Sequence, residues 1–246
     1  MSTITTSMAR GPRGSQEDRS VVVSLRDGYL LAVFDGHNGN SVSDFCAKRL
    51  PGLALQVWKD CQTNNDEYYY LRTIIQTLVS ETATCVSGST VSLAHVIESR
   101  GRVDVAVLGD SPVVVRSGVG SCWVSNEHNV RSNVKDRQFL ESLGATIDHG
   151  YLCVECDGYF DKCLQLTRAL GDSDFNAYLL REPECASCDL GDESIVALMS
   201  DGVYDQRVVR RPADLSSISI DNASIIVDGA LQRGTHDNVT AIVWHA

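Results

Sequence analysis

Apolar positions along the chain follow two patterns. An unbroken apolar run predicts a buried strand over Tyr29–Phe34, a second strand is predicted over Arg19–Leu25, and the Asp27-Gly28 pair between them is a hairpin signal. After Phe34 the pattern changes. Val42, Phe45, Cys46 and Leu50 recur at helical spacing, as do Leu71, Ile74, Ile75, Leu78 and Thr82, with Asn64-Asn65-Asp66 able to cap the second helix and Gly88 beyond its end. Strands follow at Thr90–Glu98, Val103–Leu108, Val113–Arg116 and Cys122–Ser125, a meander of hairpins. Residues 126–170 are less regular, with one predicted helix over Ser132–Leu143 that stops at Gly144. A strand then runs to Asp201, a helix spans Ala223–Gln232, and a last strand begins after Asp237. Arg207 to Arg211 and Pro212 leave no room for a full helix between them. No linker-like stretch and no repeat interrupts the chain, which predicts a single domain over residues 1–246.

The strand ends carry the candidate chemistry. Val33-Phe34 runs straight into Asp35-Gly36-His37-Asn38-Gly39, and the hairpin lays Glu17 and Asp18 beside Asp35. Asp110 follows the run Val105–Leu108, Asp201 follows Ile195–Met199, and Asp237 precedes Val239–Trp244. Any one of these is ordinary turn chemistry. Gathered, they would repel and raise one another's pKa unless they shared a proton or held a cation, and an all-oxygen set suits a hard ion such as magnesium or manganese.

Seven short motifs now stand in order: Arg13-Gly-Ser-Gln-Glu17-Asp18, Asp35-Gly36-His37-Asn-Gly, Gly88-Ser-Thr90, Gly109-Asp110-Ser111, Thr167-Arg-Ala-Leu-Gly-Asp172, Ser200-Asp201-Gly-Val-Tyr-Asp205 and Asp237-Asn238. In order and spacing they resemble the metal-dependent protein phosphatases, the protein phosphatase 2C family, over nearly the whole chain. The resemblance implies an α+β fold, a four-layer αββα sandwich of two mainly antiparallel sheets flanked by helices, with part of residues 126–170 forming a flap beside the active site. It implies hydrolysis of phosphoserine and phosphothreonine in proteins by water at two magnesium or manganese ions, with no phosphoenzyme. Asp35 would bridge the ions, and Gly36 through its carbonyl, Glu17, Asp201 and Asp237 would complete the site. Asp110 and Asp205 fit a third, looser ion. Arg13 would hold phosphate oxygens with its forked, permanent charge, and His37 would be the general acid, imidazole being the side chain that exchanges protons near neutrality.

Composition narrows the partners. Hydrophobic residues make up 43% and charged residues 22%, an ordinary globular balance, while a net charge of −11 argues against nucleic acid or an anionic membrane. No segment approaches the ~20 apolar residues of a membrane helix, Met1–Met8 lacks a signal-peptide core, and Ser2 is not the glycine that myristoylation needs. Nine cysteines, an odd number, fit free thiols in a reducing, intracellular setting, cytoplasmic or nuclear. Cys153-x-x-Cys156 and Cys185-x-x-Cys188 raise a rival reading, a zinc-stapled regulatory module, but residues three apart on a strand face opposite ways.

The bland readings of the same residues stand beside these. Arg13 among Gly11, Pro12 and Gly14 suits a solvated loop, His37 a helix start, Asp18 a cap and Asp172 a turn, and His95, His128, His149, His236 and His245 show no metal-ligand spacing. Three departures from the family pattern touch the substrate groove and the third ion: Pro112 where an arginine is common, Asn38 where glycine is usual, and the shortened region after Asp205. A catalytically weak relative that only binds a partner is the alternative that the intact carboxylate set opposes.

Overall fold

The structure, a computed structural model, describes residues 2–60, 68–118, 122–156, 159–204, 215 and 219–246. In chain order, β1 (Thr3–Ala9) precedes the hairpin that the pattern requires, β2 (Arg19–Leu25) and β3 (Gly28–Phe34). A two-residue β4 (Gly36–His37) leads to α1 (Ser41–Asp60) and α2 (Tyr69–Thr82). Then come β5 (Gly88–Ser89), β6 (Val91–Ile97), β7 (Arg102–Leu108), β8 (Val113–Arg116) and β9 (Cys122–Val124). Next are α3 (Val134–Ser142), β10 (Thr146–Asp148), β11 (Tyr151–Cys156), β12 (Tyr159–Leu164), β13 (Leu170–Gly171) and β14 (Glu184–Asp189). The last elements are β15 (Ile195–Met199), α4 (Ala223–Gln232) and β16 (Val239–His245).

Two five-stranded antiparallel sheets result, ordered β14-β7-β6-β3-β2 and β1-β16-β15-β8-β9. Successive side chains on a strand face opposite ways, and β3 shows why its sequence is apolar throughout. Leu31 and Val33 meet Val113, Val196, Leu198 and Ile242 of the other sheet, whereas Leu30, Ala32 and Phe34 meet Leu50, Leu71, Ile74 and Leu78 of α1 and α2. On the far side α4 lays Ile226, Val227 and Ala230 against Met199, Ala241 and Val243. The layers are therefore helices, sheet, sheet, helix. A smaller cluster of Val130, Leu140, Leu152, Leu164, Leu166 and Phe175 joins α3 to the β10-β11-β12 sheet.

Differences from the expected elements have local causes. α1 continues through Pro51 to Asp60, and Leu53, Ala54 and Val57 prolong its buried stripe past the residue at which a proline ordinarily stops a helix. β1 is an edge strand with little burial, so Thr3–Ala9 carries no alternating apolar signal. The β10-β12 hairpin is likewise weakly patterned. It also overturns the expectation of nine free thiols: Cys153 and Cys163 face each other across β11 and β12, with Cα atoms 4.3 Å apart, and form a disulfide. From the sequence, Cys153 stands near a strand but Cys163 has no strand facing it, which gives no reason to pair them. Cys153 is thereby unavailable to a zinc site, and Cys185 packs on the helix side of its sheet while Cys188 packs between the sheets, as period two demands. Asp205, Asn64-Asn65-Asp66 and Arg207 to Pro212 lie outside the described residues. Among the described residues no helix is long and apolar enough to cross a membrane.

Candidate active site

Five strands deliver their terminal aspartates to one edge of the sandwich. The β2–β3 register pairs Arg19 with Phe34, which sets Asp18 beside Asp35. β7 runs out towards Asp110, β15 into Asp201, and β16 starts just after Asp237. The backbone of Asp35 is held on both sides by Thr90: Asp35 N–H donates to Thr90 Oγ1 at 3.2 Å, and Thr90 N–H donates to the Asp35 carbonyl at 2.9 Å. That explains the Gly88-Ser-Thr90 motif, and Gly109 is required because a Cβ there would stand 2.5 Å from Thr90 Cβ. At Gly36 a Cβ would stand 2.6 Å from the Glu17 carbonyl oxygen. Only glycine lets the chain pass so close to that carbonyl between Asp35 and His37.

The aspartates are mutually unfavourable as they stand. Burial, then the charges of Asp18, Asp201, Asp110 and Asp237, pushes the Asp35 carboxyl well above its usual range. Asp201 is pushed up by burial and by Asp110, Asp237 and Asp18, and its backbone N–H donates to Asp35 Oδ2 at 3.3 Å. Asp110 rises to about 6 through burial, against the hydrogen bond from Asn129 Nδ2 at 2.9 Å. Asp18 is 1% exposed, neither of its carboxylate oxygens has a partner at hydrogen-bond distance, and burial raises its pKa despite the neighbouring Thr240 and Ser200 hydroxyls. Orphaned buried oxygens and raised carboxyl pKa values on hard donors fit a divalent cation, which favours the ionised form of every one of them. Among the described residues no group of three or more such side chains is already set to hold a metal ion.

The remaining candidates divide. Glu17 stands at the rim with both carboxylate oxygens engaged, by Ser15 Oγ at 2.8 Å and by Gly39 N–H at 3.1 Å, so it braces the Asp35–Gly39 loop, while Asp18 lies among the acids. Arg13 donates to Asp237 Oδ2 at 2.6 Å and to the His236 carbonyl at 3.0 Å. Asp237 thus already has one cation beside it. His37 Nε2 bonds both carboxylate oxygens of Asp172, at 2.9 and 2.8 Å. Asn38 adopts φ 55°, a conformation that asparagine tolerates best after glycine, so this departure preserves the turn. Pro112 is buried, and its carbonyl accepts from Met199 N–H at 3.0 Å, a role that needs no side chain of its own. His95 packs edge-on to Trp58 and Tyr70, and His128 Nδ1 accepts from Gly109 N–H at 3.2 Å, both within the framework. The sequence signal missed the pairing of His37 with Asp172, because nothing in residue spacing joins positions 135 apart.

Known proteins resemble this chain in sequence and in fold. The rice protein named Probable protein phosphatase 2C 74 (Oryza sativa subsp. japonica) is 28% identical over 95% of this chain, which spans 63% of that relative's length. A C. elegans sex determining protein superposes with a TM-score of 0.81 at 24% identity, covering 99% of this chain and 64% of that one. The catalytic domain of the serine threonine protein phosphatase PstP, solved in complex with two manganese ions, superposes with a TM-score of 0.61 at 17% identity, covering 99% and 97%. At those identities the two structures establish the shared fold. The family model described as protein phosphatase 2C matches residues 14–239, and the chain belongs to that family.

Proposed function

We propose that this chain is a divalent-cation-dependent phosphatase of phosphoserine and phosphothreonine in proteins, acting by direct attack of water. The observation that carries the reading is the gathering of Asp18, Asp35, Asp110, Asp201 and Asp237 from both sheets, where burial and mutual repulsion disfavour ionised carboxylates that a bound cation would stabilise. Two magnesium or manganese ions bound there would neutralise phosphoryl oxygens and lower the pKa of water. Asp35, the Gly36 carbonyl, Asp201, Asp237 and Asp18 would hold the ions. Glu17 would act through the loop that it braces. Asp110, with Asp205, would serve a third ion.

The protein's own groups do the rest. Arg13 is half-exposed and reaches the site from the loop before β2, and its guanidinium would hold phosphate oxygens while keeping its contact with Asp237. His37 would hand a proton to the departing serine or threonine oxygen, the step that a poor leaving group needs most. The test is an assay of purified protein on a phosphothreonine peptide with manganese and then with chelator. Turnover that appears with manganese and vanishes with chelator is the expected result, and its absence under both conditions would leave a partner-binding domain.

A further inference from the structure

Three segments far apart in the chain meet in one small sheet, ordered β13-β5-β4. Its register places Gly88 between His37 and Gly171, and Ser89 between Gly36 and Leu170. The central residue is the telling one. A Cβ on Gly88 would lie 2.1 Å from Asp172 Oδ2 and 2.2 Å from His37 Nε2, so the space vacated by the glycine is where the imidazole and the carboxylate touch.

The turn at Asp172 does not explain its carboxylate. The backbone makes that turn, with φ 51°, the Asp172 N–H on the Ser87 carbonyl at 3.1 Å and the Phe175 N–H on the Asp172 carbonyl at 2.9 Å, and the side chain caps nothing. Arg181 fixes the approach by donating to the Ala169 and Gly171 carbonyls. The Asp172 side chain is fully buried, and a buried carboxylate needs a donor. His37, 24% exposed, provides it.

We infer that Asp172 is a positioning residue for His37, holding the ring so that Nδ1 and not Nε2 faces the departing oxygen, through a contact for which Gly88 leaves the room. This rests on the phosphatase reading above. A carboxylate only accepts, so Nε2 carries a hydrogen directed at Asp172. No hydrogen bond engages Nδ1 among the described residues. As the phosphorus–oxygen bond breaks, its electron pair goes to the leaving oxygen, the Nδ1 proton follows, and His37 is left neutral with Nε2–H still on Asp172. The second partner therefore selects the reacting nitrogen, as the buried carboxylate does in serine-hydrolase triads.

The experiment combines a spectrum with a substrate comparison. With imidazole nitrogens labelled and metal chelated, nitrogen NMR of the wild type should show His37 with a slowly exchanging Nε2–H, lost or moved to Nδ1 in Asp172→Asn. At saturating manganese, Asp172→Asn should lower kcat on a phosphothreonine peptide roughly tenfold to a hundredfold with KM unchanged, and leave an aryl phosphate within about threefold. Gly88→Ala, which wedges the contact apart, should reproduce both signatures. Adding Asp172→Asn to His37→Gln should slow the peptide no further, because the residue acts only through the ring. An Nε2–H signal indifferent to Asp172→Asn, or equal losses on both substrates, overturns the inference. If the wild type hydrolyses neither substrate, the phosphatase reading is what fails, and the spectrum alone decides whether Asp172 holds the ring.

Discussion

The acidic edge of the sandwich and the α3 lobe beside it treat acidic residues in opposite ways. At the sandwich edge Asp18, Asp35, Asp110 and Asp201 crowd together, and each is pushed above its usual pKa with burial as the largest cause. Around the α3 lobe Asp136, Glu184 and Asp174 each have a partner. Asp136 accepts from Arg168 Nε and Nη2, both at 2.8 Å, and from Thr167 Oγ1 at 2.9 Å, which outweighs burial and holds its pKa down. Glu184 takes His128 and Asn126, and Asp174 takes Lys162. The contrast is one of pairing: the acids of the lobe have donors built in beside them, and the edge acids face one another. Asp237 stands between the two kinds, since Arg13 already holds one of its oxygens.

The sharpest way to break that contrast is to neutralise one acid at the edge. Asp201→Asn should lower manganese-dependent turnover by about a hundredfold or more, and at the same time raise the melting temperature of the chelated protein, because one repelling charge is gone. The two signs together are the prediction. Full activity would remove Asp201 from the site, and a destabilised chelated protein would show that the edge acids are not in conflict.

Asp136→Asn should do the reverse. Its pair with Arg168 is buried, so removing the charge strands the guanidinium and should destabilise by roughly 2–4 kcal/mol, read by urea unfolding. Manganese affinity and kcat per folded molecule should stay near wild type. A variant as stable as wild type would mean that the lobe does not depend on this pair.

Arg13→Ala probes the intermediate case. Inhibition by inorganic phosphate should weaken about tenfold, since a forked donor to phosphate oxygens is lost. Manganese affinity should hold or rise by a small factor, because Asp237 is released from a competing cation. Calorimetry that instead found manganese binding abolished would show Arg13 to be part of the scaffold for Asp237.

The contrast also explains what was legible beforehand. β3 is buried on both faces, so its run of apolar residues and the aspartate that ends it are readable from sequence alone, and the same holds for β7, β15 and β16. β1 is not, because Thr3–Ala9 buries little and its pattern is faint. The β10-β12 hairpin was hidden for the same reason, and with it the Cys153–Cys163 bond. Side-chain pairings across the chain were the least accessible. Spacing revealed that Glu17 and Asp18 both approach Asp35, but only the fold shows Asp18 inside the cluster and Glu17 tied to Ser15 and Gly39.

The prediction that tests the contrast as a whole is the pH dependence of the metal-free protein. A carboxyl whose folded pKa is raised contributes stability that is fully present below its unfolded pKa and is lost as pH rises through the folded value. For Asp110 that window runs from 3.8 to about 6, and Asp18, Asp35 and Asp201 act in the same direction. Asp136 acts oppositely, its contribution being intact above 3.8 and lost only as pH falls through its lowered folded value. Buried His95, whose pKa burial lowers, also works against the cluster, since its contribution fades below 6.5. Several carboxyls against one imidazole decide the sign between pH 4.5 and 6.5. Urea unfolding in chelator should therefore give a stability that declines as pH rises across that range, with a slope of about 1.4 kcal/mol per pH unit for each net proton released. Asp110→Asn should flatten the slope, and saturating manganese should abolish or reverse it, because the ion makes the ionised carboxylates the favoured ones. A chelated protein whose stability is level or climbs with pH would mean that the edge acids are already satisfied by the protein, and the distinction between the two regions would fall.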